Sequence, residues 1–347
     1  MVIVMAPDAT DADIAHIVAK VESVGGEANV SKGVVRTVIG LVGDIEAFHQ
    51  LNLRSFPGVA DVRRISDPYK LVSRQHHPER STIWIDGPSG RVPIGPETFT
   101  LLAGPCAVES VEQTLEAAQM AKAAGATILR GSAFTPRTSP YAFQGLGAHG
   151  LEILADVGRA MSLPIMTELV DPRDVDRVAE TVDLIQIGAR SMSNVPLLQA
   201  VGRAGRPVLL ERGPAASVEE WLMAAEYVAR CGNLDIVLCE RGIRTFENTT
   251  RATLDLSAVP MVQATSHLPV VVDPSHASGR RDLVVPLSRA SIAVGADGLV
   301  ADVHPDPESA LCDGPQALLG SDLRELATAC RRLPREVGRV GAADRVH

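Results

Sequence analysis

The sequence predicts an α/β protein, a (β/α)8 TIM barrel preceded by a small ferredoxin-like βαββαβ domain. Three observations carry that reading. The 347 residues exceed the roughly 100–200 of one ordinary domain, whereas an α/β barrel alone reaches about 250. From residue 100 onward, eight short apolar runs alternate with amphipathic helical stretches, the pattern of a parallel sheet joined by crossover helices. Over the first 66 residues, the periodic segments run strand, helix, strand, strand, helix, strand.

VIVMA reads as the first strand, and ATDADIAHIVAKVESVG carries apolar residues at helical spacing, with Thr10 or Asp11 placed to cap it. EANVSK and VVRTVIGLVG follow as strands, IEAFHQLNLRSF as a helix and VADVRRIS as the closing strand. Small domains of this kind bind effectors or act as packing and oligomer modules, and both roles stay open. The polar stretch SDPYKLVSRQHHPER reads as a linker, and STIWIDGPSGRVPIG as a hairpin around a Gly-rich turn. The boundary is set at residue 70, and residues 71–340 form the barrel with its leading hairpin. Barrel strands fall on TLLAG, TILRGSA, PIMTE, DLIQIG, PVLLE, LDIVLCE, PVVVD and DGLVADV, separated by helices such as VEQTLEAAQMAKAAG and VEEWLMAAEYVARCG. An open doubly wound sheet is the alternative, but no GxGxxG opens a helix after the first strand, so a dinucleotide fold has little support.

Composition narrows the function classes. A hydrophobic fraction of 46% with 22% charged residues is globular, and no apolar run approaches the roughly 18 residues that span a bilayer. The start, MVIVMAPDATDADI, lacks a basic segment and a small-residue cleavage site, so a cytoplasmic location is expected and no membrane partner. A net charge of −9 disfavours nucleic acid. Five cysteines without tight pair spacing argue against a disulfide framework, leaving thiols as core residues or ligands.

Catalytic groups of such barrels sit at the carboxyl ends of strands. Those positions hold Cys106 after the first barrel strand, Arg130, Arg137 and Thr138 on and after the second, and Arg190 after the fourth. Glu211 ends the fifth, Arg241 and Arg244 follow the sixth, His276 follows the seventh, Asp302 lies in the eighth and Asp313 beyond it. Five arginines on one rim imply an anionic ligand, because guanidinium forks match phosphate and carboxylate oxygens. A cysteine, a histidine and two carboxylates from separate loops make a donor set for a divalent metal. Taken singly, each has a plainer reading: a core thiol, a hydrogen-bonded loop histidine, a turn aspartate, a solvated arginine. Their shared position is what favours a site.

GPCAVES, LRGSAFTPRTSPYAFQGLG, IQIGARSMSN, LCERGIRTFE, LPVVVDPSHASGRRDLV and SRASIAVGADGLVADVHPDPESALCDGPQ together resemble the 3-deoxy-7-phosphoheptulonate (DAHP) synthases, in the form carrying a ferredoxin-like N-terminal domain. The resemblance covers nearly the whole chain. It implies a homo-oligomer, tetramer or dimer, that condenses two small anionic substrates, phosphoenolpyruvate and erythrose 4-phosphate, at the entry to the shikimate pathway. A non-catalytic homologue would instead serve as a helper bound to another enzyme of that pathway. The resemblance further implies a divalent metal, Mn, Fe, Co or Zn, on Cys106, His276, Asp302 and Asp313. Arg190 and Arg241, with Arg130 nearby, take the phosphoenolpyruvate phosphate in this pattern, and Arg137 with Thr138 the aldose phosphate. In the mechanism the resemblance implies, the metal would bind or orient the aldehyde oxygen, C3 of phosphoenolpyruvate would attack the aldehyde carbon, water would add at C2 and the hemiketal would lose phosphate.

Three positions depart from the family pattern. Thr135 stands where a lysine precedes PRT, and a threonine hydroxyl is a poor general acid near neutrality. Glu211 stands where the fifth strand normally ends in a lysine that meets phosphoenolpyruvate. Asp302 replaces a glutamate, one methylene longer, so a metal–oxygen bond of ~2.0–2.2 Å requires a shift or a bridging water. A charge pair about 4 Å apart is worth roughly 4 kcal/mol at an effective dielectric of about 20, so reversing the sign at Glu211 matters unless it turns onto Arg212 or Arg241. Three readings follow: a working DAHP synthase with a rearranged pocket, a diverged enzyme with another substrate pair, and a non-catalytic binding or regulatory homologue.

Overall fold

The structure, a computed structural model, describes residues 1–33, 36–63, 68–137 and 139–341. Its contacts divide the chain into two compact units, Met1–Pro68 and Tyr69–His347.

In the first unit, strands β1 (Val2–Met5), β2 (Glu27–Lys32), β3 (Thr37–Val42) and β4 (Val59–Arg63) form one antiparallel sheet in the order β2-β3-β1-β4. Helix α1 (Asp11–Glu22) buries Ile14, Ile17 and Val21, a helical stripe, among Ile3, Met5 and Ile39 of the sheet. Thr10 caps it: its hydroxyl accepts from the Asp13 amide at 3.2 Å, while the Asp13 carboxylate accepts from the Thr10 amide at 2.9 Å. The helix stops at Glu22, earlier than its apolar pattern predicts, because Gly25 turns the chain in the left-handed region at φ 78°. Helix α2 (Ile45–Gln50) is likewise shorter than expected, since Asn52 at φ 45° ends it and only a 3-10 turn, Leu53–Ser55, follows. The predicted strand portions at Val34, Val35 and residues 64–66 lie outside the described residues.

The second unit opens with a strap. The stretch expected to be a polar linker is, from Tyr69 on, packed against the barrel. Tyr69, Val72 and Ser73 are buried, and the amides of Leu71 and Val72 donate to the Glu226 carboxylate at 3.0 and 3.1 Å. The hairpin follows as β5 (Ile83–Ile85) and β6 (Val92–Ile94).

Eight parallel strands then form the barrel: β7 (Thr98–Gly104), β8 (Ile128–Arg130), β9 (Ile165–Glu168), β10 (Leu184–Ile187), β11 (Val208–Glu211), β12 (Ile236–Glu240), β13 (Val270–Val272) and β14 (Gly298–Asp302). The ring closes where β14 pairs with β7 in register from Gly298↔Thr100 to Asp302↔Gly104. Between the strands run α3 (Val111–Ala123), α4 (Ala148–Met161), α5 (Val175–Thr181), α6 (Val195–Arg203), α7 (Val218–Ala229), α8 (Ala258–Thr265), α9 (Pro274–Ser278) and α10 (Arg281–Ala293). Helix α11 (Gly320–Glu336) leads to a short β15 (Val340–Gly341) beside β7.

Side chains alternate along each strand with a period of two. Leu102, Ile128, Met166, Leu184, Leu209, Val237, Val271 and Val300 face inward and pack with Ile83, Ile85, Val92 and Ile94 of the hairpin. Their chain neighbours Leu101, Leu129, Ile165, Ile185, Leu210, Leu238, Val270 and Leu299 pack outward in the cluster shared with the helices. The hairpin thus plugs the amino-terminal end, and the carboxyl end is left for polar groups.

Asp297, fully buried before β14, ties three segments: it accepts from Arg80 ahead of the hairpin at 2.5 Å, from Arg339 ahead of β15, and from the Val270 amide at 2.7 Å. Asp297→Ala leaves two mostly buried guanidinium groups without their shared partner, an expected loss of about 3–5 kcal/mol. The urea midpoint of the barrel transition should fall accordingly; a midpoint equal to that of the wild type would refute the assignment.

Candidate active site

Two residues beyond the inward apolar residues the alternation again points inward, and on six of the eight strands the residue there is polar, Gly104 and Cys239 being the other two. Arg130 follows Ile128, Glu168 follows Met166, Gln186 follows Leu184, Glu211 follows Leu209, Asp273 follows Val271 and Asp302 follows Val300. Arg130, Glu168, Gln186 and Glu211 line a cavity of ≈ 560 Å³ at the carboxyl ends of the strands, and Asp273 and Asp302 are buried behind its lining residues His276 and Arg130. Gly104 lets the Cys106 loop approach β8, since a Cβ there would lie 2.1 Å from the Arg130 carbonyl oxygen.

Cys106, His276 and Asp313 converge on one side of this cavity. Cys106 Sγ lies 3.7 Å from His276 Nε2 and 3.4 Å from Asp313 Oδ2, and the last two are 3.5 Å apart. Bonds of about 2.0–2.3 Å in a tetrahedral site put neighbouring ligands roughly 3.3–3.8 Å apart, so the trio fits a divalent ion. The Asp273 carboxylate, 2.8 Å from His276 Nδ1, orients the ring so that Nε2 faces the trio. Asp302 is not brought into the trio. Its carboxylate accepts from Arg130 and, at 2.5 Å, from Gln316 Nε2, and it approaches His276 only on the Nδ1 side, at 3.6 Å.

The protonation of the trio follows from its neighbours. The hydrogen bond to Cys312, then burial, then the Asp302 charge push the Cys106 thiol well above its ordinary value. Burial opposes charge on His276, yet Asp273 and Asp302 outweigh it and raise the imidazole well above the usual range. Burial also opposes ionisation of Asp313, but His276 and Arg251 hold its carboxyl far below the usual range.

Arg130, Arg137, Arg190, Arg241, Arg244 and Arg251 line the same cavity, against the carboxylates of Glu168, Glu211 and Asp313. Six guanidinium groups outnumber the three acidic side chains, which fits an anionic ligand. Arg130 Nε, Arg241 Nε and the Thr135 hydroxyl are buried there without a hydrogen-bond partner, an arrangement that favours a polar ligand. Thr138 lies outside the described residues. Glu211 is buried; it accepts from Gln186 Nε2 at 2.6 Å and from the Ala189 amide at 2.8 Å, with Arg241 Nε 3.7 Å away. Arg212, the other partner expected for it, points to the opposite face of the strand and binds Glu240 and Asp255.

Comparison with known proteins decides the family. The family model "DAHP synthetase I family" matches residues 76–337, and "DAHP synthase ferredoxin-like domain" matches residues 1–67. The chain belongs to the DAHP synthetase I family. A phospho-2-dehydro-3-deoxyheptonate aldolase of Thermotoga maritima is 48% identical over 338 residues, 97% of this chain and 99% of the relative. A 2-dehydro-3-deoxyphosphooctonate aldolase of Magnetococcus marinus is 34% identical over 256 residues, covering 68% of this chain and 88% of the relative. The crystal structure of the Thermotoga maritima DAHP synthase superposes with a TM-score of 0.91 at 47% identity, covering 98% of each chain. DAHP synthases generally use a divalent metal, and the Cys106, His276 and Asp313 cluster is a candidate set of ligands for one.

Sequence reasoning passed over five residues that the DAHP synthase fold brings to this cavity or its walls: Glu168, Gln186, Arg251, Asp273 and Cys312. Three of them, Glu168, Gln186 and Asp273, stand at inward positions that strict alternation from Met166, Leu184 and Val271 would have marked. Glu168 packs against the bare α-carbon of Gly188, where a Cβ would sit 2.0 Å from its Oε1. Burial first, then the Glu211 charge, lift the Glu168 carboxyl to about 7. An unfolded chain ionises there near pH 4.5, so the folded state loses advantage as pH rises from about 4.5 to about 7, a difference on the order of 3 kcal/mol. Glu168→Gln removes that loss. Thermal unfolding midpoints of variant and wild type should diverge across this window, with the variant gaining at higher pH; parallel curves would overturn the assignment.

Proposed function

We propose that this chain catalyses the DAHP synthase reaction, in which phosphoenolpyruvate, erythrose 4-phosphate and water give DAHP and phosphate. The observation that carries this reading is one chamber in which six guanidinium groups surround a thiol, an imidazole and a carboxylate at ligand spacing. Barrel residues 71–340 carry the reaction, and residues 1–70 form a separate module for an effector or for subunit packing. The substrates are small anions and the enzyme is a cytoplasmic homo-oligomer, tetramer or dimer, with a second shikimate-pathway enzyme as a proposed partner. Among the described residues, no helix is long and apolar enough to cross a membrane.

Arg190 and Arg241 take the phosphoenolpyruvate phosphate, with Arg130 on the floor beneath it, and Arg137 takes the aldose phosphate together with Thr138. Cys106, His276 and Asp313 would hold the divalent metal, Mn, Fe, Co or Zn, and Asp302 would have to leave Arg130 and Gln316 to join them. A divalent ion bound there supplies Lewis-acid polarisation of the aldehyde oxygen. That oxygen needs a proton as the carbon–carbon bond forms, and Thr135 is too weak an acid to give it. Glu168 holds a proton near neutrality at the cavity wall, and it is assigned that role. Glu211 is held by Gln186, the Ala189 amide and Arg241, so its charge is partly offset before any phosphate arrives.

The same Glu211 favours a second reading, a less anionic or amine-bearing partner, because a carboxylate still stands where the family presents a lysine. Incubation of the full chain with phosphoenolpyruvate, erythrose 4-phosphate and each of the four metals should release phosphate and yield DAHP by mass. Glu168→Gln should lower kcat about 10²–10⁴-fold with little change in KM. Absence of product with every metal refutes the first reading. Product that forms only after Thr135→Lys and Glu211→Lys, while the wild type accepts another aldehyde, establishes the second.

A further inference from the structure

We propose that Arg251 is a positioning residue shared by two ligands: it fixes Asp313 for the divalent metal and presents its remaining donors to an anionic group of the substrate, so that metal and anion strengthen each other's binding. The inference rests on the reading of Cys106, His276 and Asp313 as metal ligands.

The Asp313 carboxylate is divided between two directions. Oδ2 faces the trio, 3.4 Å from Cys106 Sγ and 3.5 Å from His276 Nε2, while Oδ1 accepts from Arg251 Nη2 at 2.9 Å. The backbone of Asp313 does not adopt this pose by preference. Its φ of 54° is left-handed, a conformation that persists in a non-glycine residue only where the surroundings impose it. Arg251 is anchored well enough to contribute. Its amide donates to the Ser278 carbonyl at 3.0 Å and the Ala252 amide to the Ala277 carbonyl at 2.8 Å, which pins this part of the loop to α9, the helix that carries His276. The side chain then lies across Gly279, where a Cβ would stand 3.0 Å from the Arg251 Cβ and 3.2 Å from its Nε. One arginine thus ties the loop of the Asp313 ligand to the helix of the His276 ligand.

That contact uses only Nη2. Among the described residues, the other side-chain donors of Arg251 make no hydrogen bond, and the side chain is 39% exposed where it lines the cavity. A guanidinium group carries five N–H donors in one rigid plane, so it can hold Asp313 with one donor and take an oxyanion with the others. Metal and guanidinium are both positive and share one carboxylate, so they repel. An anion on the remaining donors offsets the guanidinium charge and fixes its plane, and both effects favour the metal. By reciprocity the metal favours the anion by the same factor.

The test titrates the full chain, chelator-treated, with Mn²⁺ in the presence and absence of inorganic sulfate, with ionic strength matched by chloride. Bound Mn²⁺ is read from the loss of the free-ion electron paramagnetic resonance signal. Sulfate should tighten Mn²⁺ binding to the wild type by about 5-fold or more. Arg251→Gln should weaken Mn²⁺ binding by about 10–100-fold, the scale on which losing an outer partner of a ligand acts, and should remove most of the sulfate effect. Arg251→Lys keeps the charge without the fork; it should recover part of the Mn²⁺ affinity and little of the sulfate effect. Asp297→Ala, at the amino-terminal end of the barrel, should bind Mn²⁺ as the wild type does, and an equal loss there would mark the Arg251 effect as general destabilisation and overturn the inference. Unchanged Mn²⁺ binding in Arg251→Gln overturns the positioning role, and a sulfate effect that survives in full overturns the contact with the anion. A wild type that binds no Mn²⁺ overturns the metal reading itself, and this inference with it.

Discussion

Closure of eight parallel strands, completed by β14 against β7, is the constraint on which the site depends. A closed ring has no free edge and only one inside, so each strand's period-two alternation assigns its residues to the interior or to the helices without exception. One inward layer is aliphatic and packs on the hairpin; the next is Arg130, Glu168, Gln186, Glu211, Asp273 and Asp302. The polar layer is affordable because the hairpin plugs the other end, so water reaches it from one side only. A register slip of one residue in any strand would exchange a floor group for an aliphatic side chain and bury a charge among the outer helices.

The polar floor is held by reciprocal contacts. Asp302 joins Arg130 and Gln316, Asp273 turns His276, and Glu211 joins Gln186, the Ala189 amide and Arg241. Buried charges without such partners would cost several kcal/mol each. These contacts fix rotamers before any ligand enters, and a rigid floor spares a ligand the entropy of ordering it.

Much of this was legible in the sequence, and the rest was hidden for definite reasons. Long-period signals survive: TLLAG through DGLVADV all became barrel strands, and Thr10 became a cap because Asp13 follows at the reciprocating position. Helix ends were read too long at Val24 and Leu51 because local propensity does not show which residue, Gly25 or Asn52, will adopt positive φ. Within the site, groups at strand ends were found by position, whereas Cys312 and Arg251 sit on long loops whose return to the cavity depends on tertiary contacts. Glu168 was passed over because a glutamate ending a strand looks like an ordinary surface transition until Gly188 and Glu211 are placed beside it.

Thr135, Glu211 and Asp302 act on the charge of the floor together rather than separately. Asp302 stays with Arg130 outside the Cys106, His276 and Asp313 trio, so the deepest arginine has a fixed counter-charge. Glu211 gives Arg241 a partner in the same layer, Thr135 adds no charge, and Glu168 keeps its proton near neutrality. The floor therefore approaches neutrality, while Arg190, Arg244 and Arg251 are exposed at the mouth and Arg137 is partly so. Attraction for anions shifts outward, where water screens it more strongly. An anion that enters the cavity therefore meets its least compensated positive charge at the rim arginines.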